Sequence, residues 1–394
     1  MNSKLGLTGV SILFVLATLA GCGGGGDGSV SAAAPPPNDA AAAPPPNNAP
    51  NFAYVANSDS GNVSAYAINA STGALSEVAG SPFAAGTQPT SVSVDPSGKF
   101  AYVANYSGFE PGSPLGSVSA YTINATTGAL TSIGAAVAAG SGSRSVAVDP
   151  SGKFAYVANG EFHAISTDNV LAYAINGTTG ALSEVAGSPF KAGTNPSSVT
   201  VDPSGKFAYV ANQASGDVWA YTINAATGAL ISIGTPVAAG IAYDVTVDPS
   251  GKFAYVANGN SDNVSAYTIN ASTGALSEVA GSPFAAGTLP ASVTVDPSGK
   301  FAYVANFTSN DLSAYTINAT TGALTSIGTS AATGTGPNSI TVDPSGKFAY
   351  VTNSASDNVS VYTINAATGA LTSVGAPVAA GSGPTSVTTT GTIR

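Results

Sequence analysis

From residue 52 onward the chain is written in short apolar runs separated by turn residues. Ser91–Val94, Phe100–Asn105, Val118–Asn124 and Ala129–Ile133 form one such unit, rich in Val, Tyr, Phe, Thr and Ile. That composition predicts β-strands. Between the first two runs stands Asp95-Pro96-Ser97-Gly98, with Asp first, Pro second and Gly fourth, which suits a type I turn. Between the last two stands Asn124-Ala125-Thr126-Thr127-Gly128, whose glycine takes positive φ at little cost. Alternation puts Phe100, Tyr102 and Ala104 on one face of the second strand, and Ala101, Val103 and Asn105 on the other. In the third strand Ser119, Tyr121 and Ile123 oppose Val118, Ala120 and Thr122. Each sheet has a bulkier face and a smaller one. The pattern predicts stacked sheets that seat the first against the second.

The unit repeats. Phe-Ala-Tyr-Val-Ala-Asn begins at Phe52, Phe100, Phe154, Phe207, Phe253 and Phe301, and Phe348 opens a seventh copy with Thr for the second Ala. The intervals are 48, 54, 53, 46, 48 and 47 residues. A period of about 40–50 residues with four strands per unit is a propeller signature. An all-β fold is therefore expected: a seven-bladed β-propeller of four-stranded antiparallel blades over residues 52–394. The first repeat lacks a leading strand, and the last carries a spare, Ser386–Thr389. The C-terminal strand is expected to join the N-terminal blade and remove the open edge.

The segment before the repeats reads differently. Residues 1–21 resemble a secretion signal, with Lys4 followed by an apolar run from Val10 to Ala20 that is too short for a comfortable membrane span. The run ends in Leu19-Ala20-Gly21-Cys22, which resembles the lipobox of bacterial lipoproteins. Cys22 is the expected lipidation site, and residues 22–51, rich in Gly, Ala and Pro, the expected tether. These features predict a lipid-anchored protein of the bacterial cell envelope. Gly23 in place of Asp points to the outer membrane, periplasmic or surface-exposed.

Charge narrows the partners. The formal net charge is −10, with 10 basic and 20 acidic residues and one each of His, Cys, Met and Trp. Nucleic acid is disfavoured, because it demands positive charge. One Cys and one His exclude a zinc cluster, and no glycine-rich loop opens a helix to cradle phosphate. No metal and no cofactor are expected. Asp and Asn recur before the third strand, as at Asp217, Asp262 and Asp311, where Asx-turn chemistry outweighs calcium binding.

Variation identifies the candidate functional face. The Asp-Pro-Ser-Gly side is nearly invariant and carries Lys99, Lys153, Lys206, Lys252, Lys300 and Lys347. The opposite loops vary, and binding residues usually sit on variable loops over a rigid scaffold. Where the first strand begins, near the expected channel, six repeats have Ser and one has Asp244. One position earlier stand Thr90, Arg144, Ser197, Tyr243, Ala291, Asn338 and Thr385. Arg144 shares its repeat with Glu161 and His163. These three are the catalytic candidates: Arg144 to hold a carboxylate or polarise a carbonyl, Glu161 or His163 to act on water. Tyr243, Asp244 and Asn338 are candidate ligand contacts.

The phrases Tyr-Val-Ala-Asn, Val-Ser-Ala-Tyr-Thr-Ile-Asn, Thr-Gly-Ala-Leu and Val-Asp-Pro-Ser-Gly-Lys resemble the YVTN-repeat propellers and the lactonase-like seven-bladed family, which includes 6-phosphogluconolactonase. The resemblance implies a lactone hydrolase. Family enzymes commonly place Arg-His where the first strand begins; Arg144 matches the Arg, and Ser145 replaces the His. The resemblance also implies an acidic residue just after the second-strand Asn, close to Glu161. The few ionisable groups make a binding or scaffold domain the leading expectation, taking a protein, glycan or small molecule as a monomer. A lactone hydrolase and a surface adhesin are the alternatives.

Overall fold

The computed structural model describes residues 51–106, 116–140, 142–160, 168–328 and 330–391. They form seven antiparallel sheets arranged as blades in a ring. Blade 2 illustrates the plan. Strand a is Pro89–Val94, strand b Phe100–Asn105, strand c Ser117–Ile123 and strand d Leu130–Ser132. Beyond strand d, Val137–Ala138 pairs with the start of strand c, so the outer strand is split into two pieces. The expected strands differ from these by one or two residues at their ends.

The turns follow from their side chains. Asp95 is buried, and its Oδ1 accepts from the N–H groups of Lys99 and Phe100 at 2.8 and 2.7 Å. Its Oδ2 accepts from the Ser97 N–H at 3.0 Å and from the Ser97 hydroxyl. Gly98 N–H closes the turn on the Asp95 carbonyl with φ of +69°. Six blades repeat this arrangement. At the c–d turn, Asn124 Oδ1 accepts from the N–H groups of Thr126 and Thr127.

Blades stack as the alternation predicts. Phe52, Tyr54 and Ala56 of blade 1 pack on Ala101, Val103, Tyr121 and Ile123 of blade 2, and each following interface repeats the arrangement. Two sets of phenols tie the blades. The strand-b tyrosine of each blade donates to a c–d turn carbonyl of the next at 2.9–3.1 Å, beginning with Tyr54 to Gly128. The strand-c tyrosine donates backward to the outer strand of the preceding blade at 2.5–2.7 Å, as Tyr121 does to Ala84. Gly128 is required twice: its φ is +76°, and a Cβ there would lie 2.3 Å from the Phe52 ring.

The ring closes as expected. Pro384–Thr389 pairs antiparallel with Asn51–Asn57, Val387 opposite Val55, and supplies the strand a that blade 1 lacks. The residues assigned to the secretion signal, Cys22 and nearly all of the tether lie outside the described residues.

Candidate active site

Strand a pairs with strand b through a β-bulge in every blade. In blade 3, Ser143 faces Asn159 and Ser145 faces Ala158, so Arg144 is the extra residue of the bulge. Thr90, Ser197, Tyr243, Ala291, Asn338 and Thr385 are bulged in the same way. In regular pleating, consecutive residues point to opposite faces. The bulge re-aims the extra residue, and both it and its successor line one axial cavity of about 270 Å³.

The residues after the bulge form an inner ring. Each accepts a backbone N–H from the next blade: Ser91 from Val146 at 3.2 Å, Ser145 from Val199 at 3.3 Å, and so on until Ser386 accepts from Val92 at 3.2 Å. Asp244 takes the serine's place in blade 5, accepting from Val293 N–H at 3.0 Å. Its other oxygen accepts from the Ser198 hydroxyl at 2.7 Å. Burial raises the Asp244 carboxyl pKa, opposed by hydrogen bonds from Val293, Ser198, Ser292 and Val245.

Four of the bulged side chains reach the following blade as well. Thr90 donates to Ser143, Ser197 to Ala242 and Thr385 to Pro89, each at 2.9 Å, and Asn338 donates to Thr385 at 3.1 Å. Arg144 Nε donates to the Gly160 carbonyl at 3.0 Å, and its Nη1 stands 3.5 Å from Gln213 Oε1. The guanidinium lies 5.6 Å from the centre of the Tyr106 ring, within cation–π range. Burial pushes its pKa down, while Tyr106, Tyr243 and Asp168 pull it back up. The Tyr243 ring lies against the Gly259 backbone, where a Cβ would be 2.3 Å away.

Of the residues expected from sequence, Arg144, Tyr243, Asp244 and Asn338 thus meet in one cavity. Glu161 and His163 lie outside the described residues, as does Cys22. Among the described residues, no three His, Cys, Asp or Glu side chains cluster as metal ligands. Asp217, Asp262 and Asp311 accept hydrogen bonds from Asn212, Leu289 and Asn306 at 2.8–2.9 Å, donors on strand b or a neighbouring loop and not the N–H two residues on that an Asx turn uses. Sequence reasoning missed Tyr106 and Gln213, which flank Arg144. Both follow the strand-b Asn directly, where the otherwise near-identical repeats diverge. Gln213 is held by buried Asn195, whose Nδ2 donates to the same Oε1 at 3.1 Å.

The family model described as lactonase, 7-bladed β-propeller matches residues 46–131, 115–287 and 279–388. No curated protein matches. Among solved structures, a periplasmic gluconolactonase of Pseudomonas aeruginosa is 17% identical with a TM-score of 0.75, covering 87% of this chain and 99% of its own. A protein of Bacteroides uniformis, provisionally described as a 6-phosphogluconolactonase, is 19% identical with a TM-score of 0.76, covering 86% and 99%. At these identities the likeness shows the fold alone.

Proposed function

Since the chain belongs to the seven-bladed β-propeller lactonase family, we propose that it hydrolyses a lactone in the axial cavity. The observation that carries this reading is the presentation of Arg144 into that cavity on a β-bulge. Attack of water on a lactone carbonyl builds negative charge on oxygen. A pre-positioned, poorly hydrated guanidinium stabilises that charge better than water does. The backbone of Gly160 and the ring of Tyr106 hold the arginine, so little reorganisation is needed as the charge develops. The cavity lies near the lower end of the ~300–1,000 Å³ typical of ligand sites, and hydroxyl-bearing side chains dominate its wall. It suits a compact, oxygen-rich ring.

Family membership favours this reading over the binding or scaffold domain that the sparse ionisable groups suggest. The test is hydrolysis of a panel of unphosphorylated and phosphorylated lactones by the protein beside Arg144→Ala. Loss of about 10²–10³-fold in turnover is expected, the effect of removing one oxyanion donor. No turnover on any lactone would sink the hydrolase reading and leave binding at the same face.

We also propose that the protein is lipid-anchored in the cell envelope, on the strength of residues 10–22. Mass spectrometry of the mature N-terminus checks this. A mature protein that keeps residues 1–21 or carries an unmodified Cys22 contradicts it.

A further inference from the structure

Six of the seven inner-ring hydrogen bonds are accepted by serine and one by Asp244. A serine at 244 would meet the Val293 N–H as serines do elsewhere in the ring. The carboxylate is therefore more than closure requires. It also sits in the same cavity as Arg144, two blades away.

We propose that Asp244 is the general base of the lactone hydrolysis inferred above, on which this assignment rests. Its carboxylate takes one proton from a water molecule as the water oxygen bonds to the lactone carbonyl carbon. The resulting oxyanion is stabilised by Arg144. Collapse breaks the bond between the acyl carbon and the ring oxygen, and Asp244 returns its proton to the departing alkoxide. One lactone and one water give one hydroxy acid.

The surroundings suit the role. One hydrogen bond to each carboxylate oxygen, from Ser198 and Val293, fixes the plane of the group. The Ser292 hydroxyl and the Val245 N–H also stand against the group, and the carboxylate lines the cavity from which a water would approach it. Among the described residues, the titratable and charged side chains that line the cavity with it are Arg144 and Tyr243. Burial moves the carboxyl toward the pH range in which a general base works best.

The experiment exploits the ring itself. Asp244→Ser installs the residue that makes this bond in the other six blades, so the variant is expected to fold with an unchanged melting temperature. Its kcat should fall about 10²–10⁴-fold, the usual contribution of a general base, with KM nearly constant. The acidic limb of the kcat/KM profile should vanish, and added formate should restore part of the rate. Asp244→Asn, which keeps the shape of the side chain, should show the same loss. An active wild type whose Asp244→Ser variant keeps its rate and pH profile overturns the assignment alone. Failure of both variants to fold overturns the premise that the carboxylate exceeds what closure needs. A wild type inert to every lactone overturns the underlying function with it.

Discussion

The phenol of Tyr350 in blade 7 donates to the carbonyl oxygen of Gly73 in blade 1 at 3.1 Å, across 277 residues of sequence. It spans the seam where the chain meets itself. Tyr102 makes the same bond to Gly180 within the body of the ring at 3.0 Å. Tyr350→Phe should cost about 1–3 kcal/mol, the penalty for a buried carbonyl that loses its donor, and Tyr102→Phe should cost the same. Urea unfolding followed by the fluorescence of Trp219, the one tryptophan, measures both. A far larger loss at Tyr350 would contradict the equivalence of seam and body.

Alkaline pH should unfold the ring. Burial raises the pKa of the strand-b phenols and of the strand-c phenols, Tyr267 being pushed up to about 12. Unfolded tyrosine titrates near ~10. Because the folded values are the higher ones, the stabilisation is complete below about pH 10 and is lost as pH climbs through the folded values. Tyrosinate absorbance should rise together with loss of near-ultraviolet circular dichroism. Tyrosinate from these phenols in a chain that keeps its native signal would count against the ties.

Removing residues 384–394 should open blade 1. The deletion exposes the edge of Asn51–Asn57 and withdraws Val387 from the core between blades 7 and 1. It also removes the inner-ring bonds at Ser386 and Val387. An unpaired strand edge invites association, so aggregation and rapid proteolysis are expected. Size-exclusion chromatography and limited proteolysis report both. A monodisperse, protease-resistant product would refute the closure argument.

Asp95→Ala removes the acceptor of three N–H groups at one turn. A loss of about 2–3 kcal/mol is expected, since hydrogen bonds to charged groups contribute about 1.5–3 kcal/mol. Asp95 and Asp248 occupy separate blades and share no partner. Their effects should add to within about 0.5 kcal/mol in the double variant, as equilibrium denaturation would show.

Much of this architecture is legible before any coordinates. Asp95-Pro96-Ser97-Gly98 declares its turn because each residue meets a local backbone need. Phe52, Tyr54 and Ala56 declare their face by alternation, and Ser386–Thr389 declares the closure by being left over. What escapes the sequence depends on other blades. Val137–Ala138 is too short to carry a period. The repeated tyrosines are visible in sequence, but their acceptors belong to neighbouring blades. Strict alternation would send Arg144 and Ser145 to opposite faces, and only the bulge brings both to the axis. Asp244 reads as a ligand contact until its bonds to Val293 and Ser198 are seen. Tyr106 and Gln213 could have been found from their divergence, though not their convergence on Arg144.

Closure by Pro384–Thr389 also acts as a length check on synthesis. The chain emerges N-terminus first, so Asn51–Asn57 waits with one bare edge while the other blades are made. A product stopped anywhere before residue 384 keeps that edge, and with it the exposure that proteases exploit. The same six residues that finish the ring therefore separate a closed ring from one that keeps a bare, association-prone edge.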